Sequence, residues 1–157
     1  RSCRRDPLWF AAMQVGSVMR TRLVTVRPED TAAEAIRLML EAGIGSVVVC
    51  EENAPVGIFT ERDVLRLAGE AADVERVQLR VAMTRDLVTI GVDDAILDAA
   101  QLMGERKLRH LPVVQDGNLV GMVSMRDVLG FLAERLYAER DEAAAATARA
   151  LLGRSTN

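Results

Sequence analysis

The sequence predicts an α/β chain made of two copies of one strand, helix, strand, strand, helix unit, followed by a longer terminal helix. Three observations carry that expectation. Val56-Gly57-Ile58-Phe59-Thr60-Glu61-Arg62-Asp63-Val64-Leu65 returns 64 positions later as Val120-Gly121-Met122-Val123-Ser124-Met125-Arg126-Asp127-Val128-Leu129. The same register holds without a gap from Met19/Met83 through Asp63/Asp127, which points to duplication. Short β-branched runs also alternate with stretches whose apolar residues fall at helical spacing.

The opening residues, Arg1 to Ala12, show no periodicity and are expected to form a poorly ordered tail pinned by Trp9 and Phe10. The chain does not begin with methionine, and Met13 is a candidate natural start. Leu23-Val24-Thr25-Val26 and Leu87-Val88-Thr89-Ile90 then read as strands. Acidic helix starts follow at Pro28-Glu29-Asp30-Thr31 and Val92-Asp93-Asp94-Ala95. Ala32, Ala35, Ile36 and Met39 share one helical face, as do Ile96, Ala99, Ala100 and Met103.

Gly43-Ile44-Gly45 stops the first helix, and Ser46 to Cys50 is an apolar strand turned back by Glu51-Glu52-Asn53-Ala54 into Val56 to Thr60. In the second copy Asp116-Gly117 is the hairpin turn. A unit of about 55 residues buries too little surface to be secure alone, so the two should pack together, with Glu70 to Arg80 as the connection. From Met125 good helix formers continue to Leu152 as one long helix or two stacked pieces. Its stretch from Arg140 to Ala146 lacks an apolar stripe and either projects into solvent or packs on a partner through its alanines.

Composition excludes several function classes. Half of the 157 residues are apolar, the net charge is −3, and no apolar run or leader pattern suggests a membrane span or secretion signal, so the expected compartment is the cytoplasm. The acidic balance and an aromatic content of 3% argue against a nucleic-acid surface. Cys3 and Cys50 form neither a metal-ligand spacing nor a disulfide framework, and Cys50 reads as a buried small apolar residue. Glu51-Glu52 and Asp93-Asp94 read as a solvated turn and a helix start. With no nucleophile set, P-loop or glycine-rich dinucleotide fingerprint, neither an enzyme nor a metal site is expected.

Both repeated junctions end a strand in Gly-x-x-Thr/Ser-x-x-Asp and begin a helix. One reading is a capping box, in which Thr60 with Asp63 and Ser124 with Asp127 satisfy orphan N–H groups. The other is an anion site at the positive helix end, where hydroxyl, backbone N–H and guanidinium hold a phosphate and the carboxylate takes sugar hydroxyls. The upstream glycine in each copy, Gly57 or Gly121, would let a ligand approach the backbone. His110, the only histidine, fits either a structural or a ligand-facing role.

These junctions, with the two β-branched strands and Leu108-Arg109-His110-Leu111-Pro112-Val113-Val114, resemble the cystathionine beta-synthase (CBS) domain family, specifically a tandem pair forming a Bateman module. The resemblance runs from about Val15 to Leu136. It implies two CBS motifs packed through their sheets with pseudo-two-fold symmetry, at residues 15–72 and 79–136. An N-terminal tail at 1–14, a linker at 73–78 and a C-terminal helical extension at 137–157 complete the chain. The implied function is ligand sensing: AMP, ADP, ATP or S-adenosylmethionine bound between the motifs as a regulatory ligand, with no catalytic cofactor. Energy sensing, a disc-shaped homodimer and an unidentified regulated protein belong to the same implication.

Position by position, the resemblance assigns the ribose hydroxyls to Asp63 and Asp127 and the phosphate to Thr60 and Ser124. Arg62 and Arg126 stand near the phosphate; Arg109, His110 and Pro112 belong to the second cleft. Thr25 with Val26, and Thr89 with Ile90, lie against the base. The first repeat departs from the pattern by offering Gly45-Ser46-Val47-Val48, without the basic pair, so the second cleft is expected to be the stronger site. A ligand-free interaction module working through dimerisation and the terminal helix is the alternative.

Overall fold

The computed structural model describes residues 13–152, with side-chain surroundings described through residue 146. The expected tail contacts of Trp9 and Phe10 lie outside the described residues. The first repeat contains β1 (Thr25–Val26), α1 (Ala32–Ala42), β2 (Ser46–Glu51), β3 (Ala54–Thr60) and α2 (Glu61–Gly69). A short α3 (Leu79–Ala82) precedes β4 (Ile90–Gly91), α4 (Ile96–Arg106), β5 (His110–Gln115), β6 (Asn118–Ser124) and α5 (Met125–Leu152). Each repeat has a three-stranded sheet, β1-β2-β3 or β4-β5-β6, whose first pair is parallel and second antiparallel. The ladders shift register at Val49/Cys50 and at Val113/Val114, the same place in each copy.

Local chemistry explains the element ends. Thr31 and Glu34 form a reciprocal capping box at the start of α1, with N–H to oxygen distances of 2.8 and 3.2 Å. Gly43 ends α1 in the left-handed region at φ 63°, where a missing Cβ removes the steric penalty. Its counterpart Lys107 ends α4 at φ 54° and bears that penalty. The Asp116-Gly117 turn has φ of 50° and 80°, the double-positive geometry of a two-residue hairpin.

Two aliphatic cores result. The first gathers Val26, Ala35, Met39, Val47, Val49, Phe59 and Leu67. The second gathers Ile90, Ile96, Ala99, Met103, Leu111, Val113, Val123 and Val128. The two sheets meet where β3 lies against β6, and the Leu119 N–H donates to the Asn53 carbonyl at 2.9 Å. Among the described residues no helix is long and apolar enough to cross a membrane.

The connections correct a sequence expectation, because each repeat lends its leading segment to the other. Val15, in a single 3-10 turn at Val15–Ser17, is fully buried in the second core, with Val18 and Met19 packed against it. Leu79, Ala82 and Met83 are buried in the first core, with Val74 and Val77 beside them. The stretch expected to be a plain connection therefore supplies core residues and α3. Isolated bridges record the exchange in matched pairs: Gln14 with Ala95 and Thr31 with Gln78, then Arg20 with Met122 and Ile58 with Thr84. The 64-residue offset converts one member of each set into the other, which is the pseudo-two-fold symmetry.

The first strand of each repeat is shorter than expected. Only Thr25–Val26 and Ile90–Gly91 join their sheets. Leu23, Val24 and Leu87 to Thr89 stay outside the ladder, while Val24 and Val88 pack on the cores of their own repeats. The C-terminal expectation resolves as one helix of 28 residues, about 42 Å long at 1.5 Å per residue. Arg140 to Ala146 on it are exposed.

Candidate ligand-binding clefts

At each repeated junction a strand delivers a hydroxyl residue to the N-cap of a helix. In the first repeat, the Thr60 N–H and hydroxyl both donate to Asp63 Oδ2, at 2.9 and 2.8 Å. In the second, the Ser124 N–H and hydroxyl donate to Asp127 Oδ2 at 3.1 and 2.5 Å, and the Asp127 N–H returns to Ser124 Oγ at 3.2 Å. The capping reading of these junctions is therefore physically realised. It does not exclude a ligand, since the other carboxylate oxygen faces elsewhere in each case.

That second oxygen separates the clefts. Asp127 Oδ1 accepts from Arg20 Nη2 at 2.8 Å and Nε at 3.1 Å, across 107 positions of sequence. Among the described residues Asp63 Oδ1 has only the Arg66 guanidinium at 3.7 Å, one turn along its own helix. Arg66 Nη2 is itself committed to the Ala82 carbonyl at 2.8 Å. The register mate of Arg66 is Gly130, and the mate of Arg20 is Thr84. Each repeat thus has a cation beside its aspartate, but in the first it comes from α2 and in the second from the exchanged leader.

Around Asp127 the expected basic pair is present. His110 opens β5 directly opposite Ser124 in the ladder, half-buried, while Arg109 beside it is exposed and its carbonyl accepts the Met125 N–H at 2.9 Å. Burial, the largest influence, pushes the His110 pKa below 6.5; Asp127 opposes it, Arg109 and Arg20 reinforce it, and Glu61 opposes it. For Asp127 the largest single influence is burial, which raises its pKa. The Ser124 hydroxyl, the Arg20 guanidinium and the Ser124 N–H together outweigh it and hold the carboxyl below its usual value.

At the matching positions of the first cleft, Ser46 is buried opposite Thr60, and Gly45 leaves room for the Glu61 carboxylate, whose nearest oxygen would stand 3.2 Å from an added Cβ. The first cleft therefore carries an acid where the second carries Met125 and an arginine–histidine pair. Thr25 is exposed on β1 and Thr89 half-buried before β4, whereas Val26 and Ile90 are buried in the two cores. Pro112 is buried within β5, opposite Met122. Arg62 and Arg126 are exposed. Ser124, Asp127, His110 and Arg109 are brought together, and Thr60 joins Asp63.

Sequence reasoning missed Arg20, Arg66 and Glu61, and assigned the wrong visitor to the glycines. A Cβ on Gly57 would overlap the Met83 side chain, with its Cγ at 2.9 Å and the Thr84 carbonyl at 3.1 Å; one on Gly121 would overlap Met19, with Cγ at 3.0 Å and the Arg20 carbonyl at 3.3 Å. The backbone is approached closely there, as expected, but by the exchanged leader. Cys50 is buried in β2 and burial raises its thiol pKa, as a core residue requires. Among the described residues no group of three His, Cys, Asp or Glu could hold a metal ion.

A family model described as CBS domain matches residues 15–70 and again 74–134. The chain belongs to the CBS domain family. It is 35% identical over 115 residues to the CBS domain-containing protein YhcV of Bacillus subtilis, covering 73% of this chain and 81% of that one. An uncharacterised protein of Methanopyrus kandleri is 38% identical over 121 residues; the match takes in 75% of this chain but 62% of that protein's length. The crystal structure of CBSX2 in complex with AMP superposes with a TM-score of 0.70 at 27% identity, covering 78% of this chain and 97% of that chain.

Proposed function

We propose that this CBS pair is a regulatory module that binds an adenine nucleotide between its two motifs and transmits occupancy to a partner protein in the cytoplasm, without catalysis. The observation that carries the reading is the Ser124–Asp127 junction. A hydroxyl and a carboxylate stand at a helix N-terminus, with His110 opposite and the Arg20 and Arg109 guanidinium groups beside them. Cationic donors suit a phosphate, and a carboxylate suits vicinal ribose hydroxyls. The AMP complex of CBSX2 supports the ligand class. A ligand spanning the cleft would favour one relative orientation of the motifs; its differential affinity for that orientation is the signal.

Within this reading Asp63 and Asp127 take ribose, Thr60 and Ser124 phosphate, Arg62, Arg126 and Arg109 the outer phosphate field. Thr25, Val26, Thr89, Ile90 and Pro112 border the base. Isothermal titration with AMP, ADP, ATP and S-adenosylmethionine tests it. At least one should give saturable heat, and Asp127→Ala should weaken the nucleotide about 10- to 100-fold, the worth of one charge-assisted hydrogen bond. Silence toward all four compounds overturns the proposal.

A second reading rests on exposed Leu129, Leu136 and Tyr137 along α5. They favour a homodimer or partner contact through this helix. Truncation after Tyr137 that abolishes association while sparing nucleotide binding supports an additional interaction role.

A further inference from the structure

We propose that Arg20 is a specificity-determining residue of the second cleft: it occupies Asp127 in the free protein and yields it only to a ligand bringing an anionic group of its own. This rests on the nucleotide reading above and adds what that reading lacks, a rule for which adenosine compound each cleft accepts.

A carboxylate offers about four lone-pair sites. In Asp127 all are engaged: Oδ2 by the N–H and hydroxyl of Ser124, Oδ1 by Nε and Nη2 of Arg20. A ribose diol can reach Oδ1 only by displacing the guanidinium. A neutral nucleoside would then leave a cation without its counter-ion beside a second guanidinium, Arg109. A phosphate removes that cost, because its oxygens offer Arg20 a bidentate partner of the same charge and geometry as the one it lost.

The anatomy of Arg20 suits such an exchange. Its backbone is fixed on β6 by paired hydrogen bonds with Met122, at 2.8 and 3.0 Å, so only the side chain needs to move. That side chain is 62% exposed while Asp127 is 14% exposed, which places the mobile partner at the rim and the acceptor inside. The first cleft provides the internal control. Thr84, bridged to Ile58 as Arg20 is to Met122, carries no charge, and among the described residues no hydrogen bond from a leader reaches Asp63 Oδ1. There a diol meets an oxygen whose cation, Arg66, stands back at 3.7 Å and is held by the Ala82 carbonyl, so no anion is demanded to replace it.

The test compares AMP with adenosine by isothermal titration in the wild type, Arg20→Thr and Thr84→Arg. In the wild type, AMP should fill two sites and adenosine only the first. Arg20→Thr should open the second site to adenosine and reduce the AMP-to-adenosine affinity ratio there by about tenfold, the scale of one charge-assisted contact. Thr84→Arg, at an exposed position, should impose the converse preference on the first site. If both compounds bind but neither substitution moves the ratio beyond twofold, the role assigned to Arg20 is wrong while nucleotide binding stands. If neither compound binds the wild type, the role assigned to Arg20 falls, and the nucleotide reading then rests on ADP, ATP and S-adenosylmethionine alone.

Discussion

The two halves share a scaffold to the level of a bulge and a bridge, yet they secure equivalent aspartates with cations from different places. In the first half Arg66 reaches Asp63 from one turn along the same helix and is also tied to the Ala82 carbonyl. In the second, Gly130 vacates that position and Arg20 arrives from the opposite repeat's leader. A local cation leaves its aspartate half-open, whereas an imported one saturates it. Duplication preserved the frame; two reciprocal substitutions, Arg66 against Gly130 and Arg20 against Thr84, make the clefts chemically distinct.

The largest expected effect tests the exchanged scaffold beneath both clefts. Leu79, on the leader of the second repeat, and its mate Val15 are both fully buried in the opposite core. Leu79→Ala should cost about 2–5 kcal/mol in chemical denaturation, and hydrogen exchange should accelerate in α1 and β2, not α4 and β5. Val15→Ala should show the reverse distribution. Loss of protection confined to each residue's own repeat would break the symmetry.

Next come the glycines under the leaders. Gly57→Ala and Gly121→Ala should each cost about 1–3 kcal/mol by forcing Met83 or Met19 aside. Each should couple to a substitution of its own methionine by more than 0.5 kcal/mol in a double-mutant cycle, and not to the other methionine. Cross-coupling would mean that the leaders do not act separately.

A smaller effect separates the helix stops. Lys107→Gly should stabilise the chain by about 1 kcal/mol, since Gly43 performs the same left-handed turn without strain. No gain in melting temperature would show that the lysine side chain offsets its backbone cost.

The smallest effect is a pH slope specific to the second cleft. The folded pKa of His110 lies below 6.5, so the unfolded chain takes up the proton first. Its stabilising contribution is intact above pH 6.5 and is lost as pH falls from there through the folded pKa. Ligand-free stability measured across that window should slope downward with acid, and His110→Gln should flatten it. An unchanged slope in the variant would assign the titration elsewhere.

Much of the frame was legible because an offset alignment compares each repeat with itself: helices, hairpins and both capped junctions emerge from that comparison. The leader exchange does not, because Met19/Met83 and Arg20/Thr84 align equally well whichever sheet they pair with. For the same reason Gly57 and Gly121 suggested a ligand, when the close neighbour is a methionine sulfur and main chain from the other repeat. Arg20 was invisible because its aligned partner is a threonine and its ionic partner lies 107 positions away. His110 and Arg109 entered through the resemblance to the CBS family over Leu108 to Val114, since the first repeat offers Gly45-Ser46 in their place.

The swapped leaders also set an order of events during synthesis. Met13 and Arg20 leave the ribosome well before the groups that receive them, Ile96 and Met122, which are made 83 and 102 residues later. The second core can therefore close only when nearly the whole repeat pair has emerged, through contacts of very high sequence separation. The first described residues to be made are among the last to find their place.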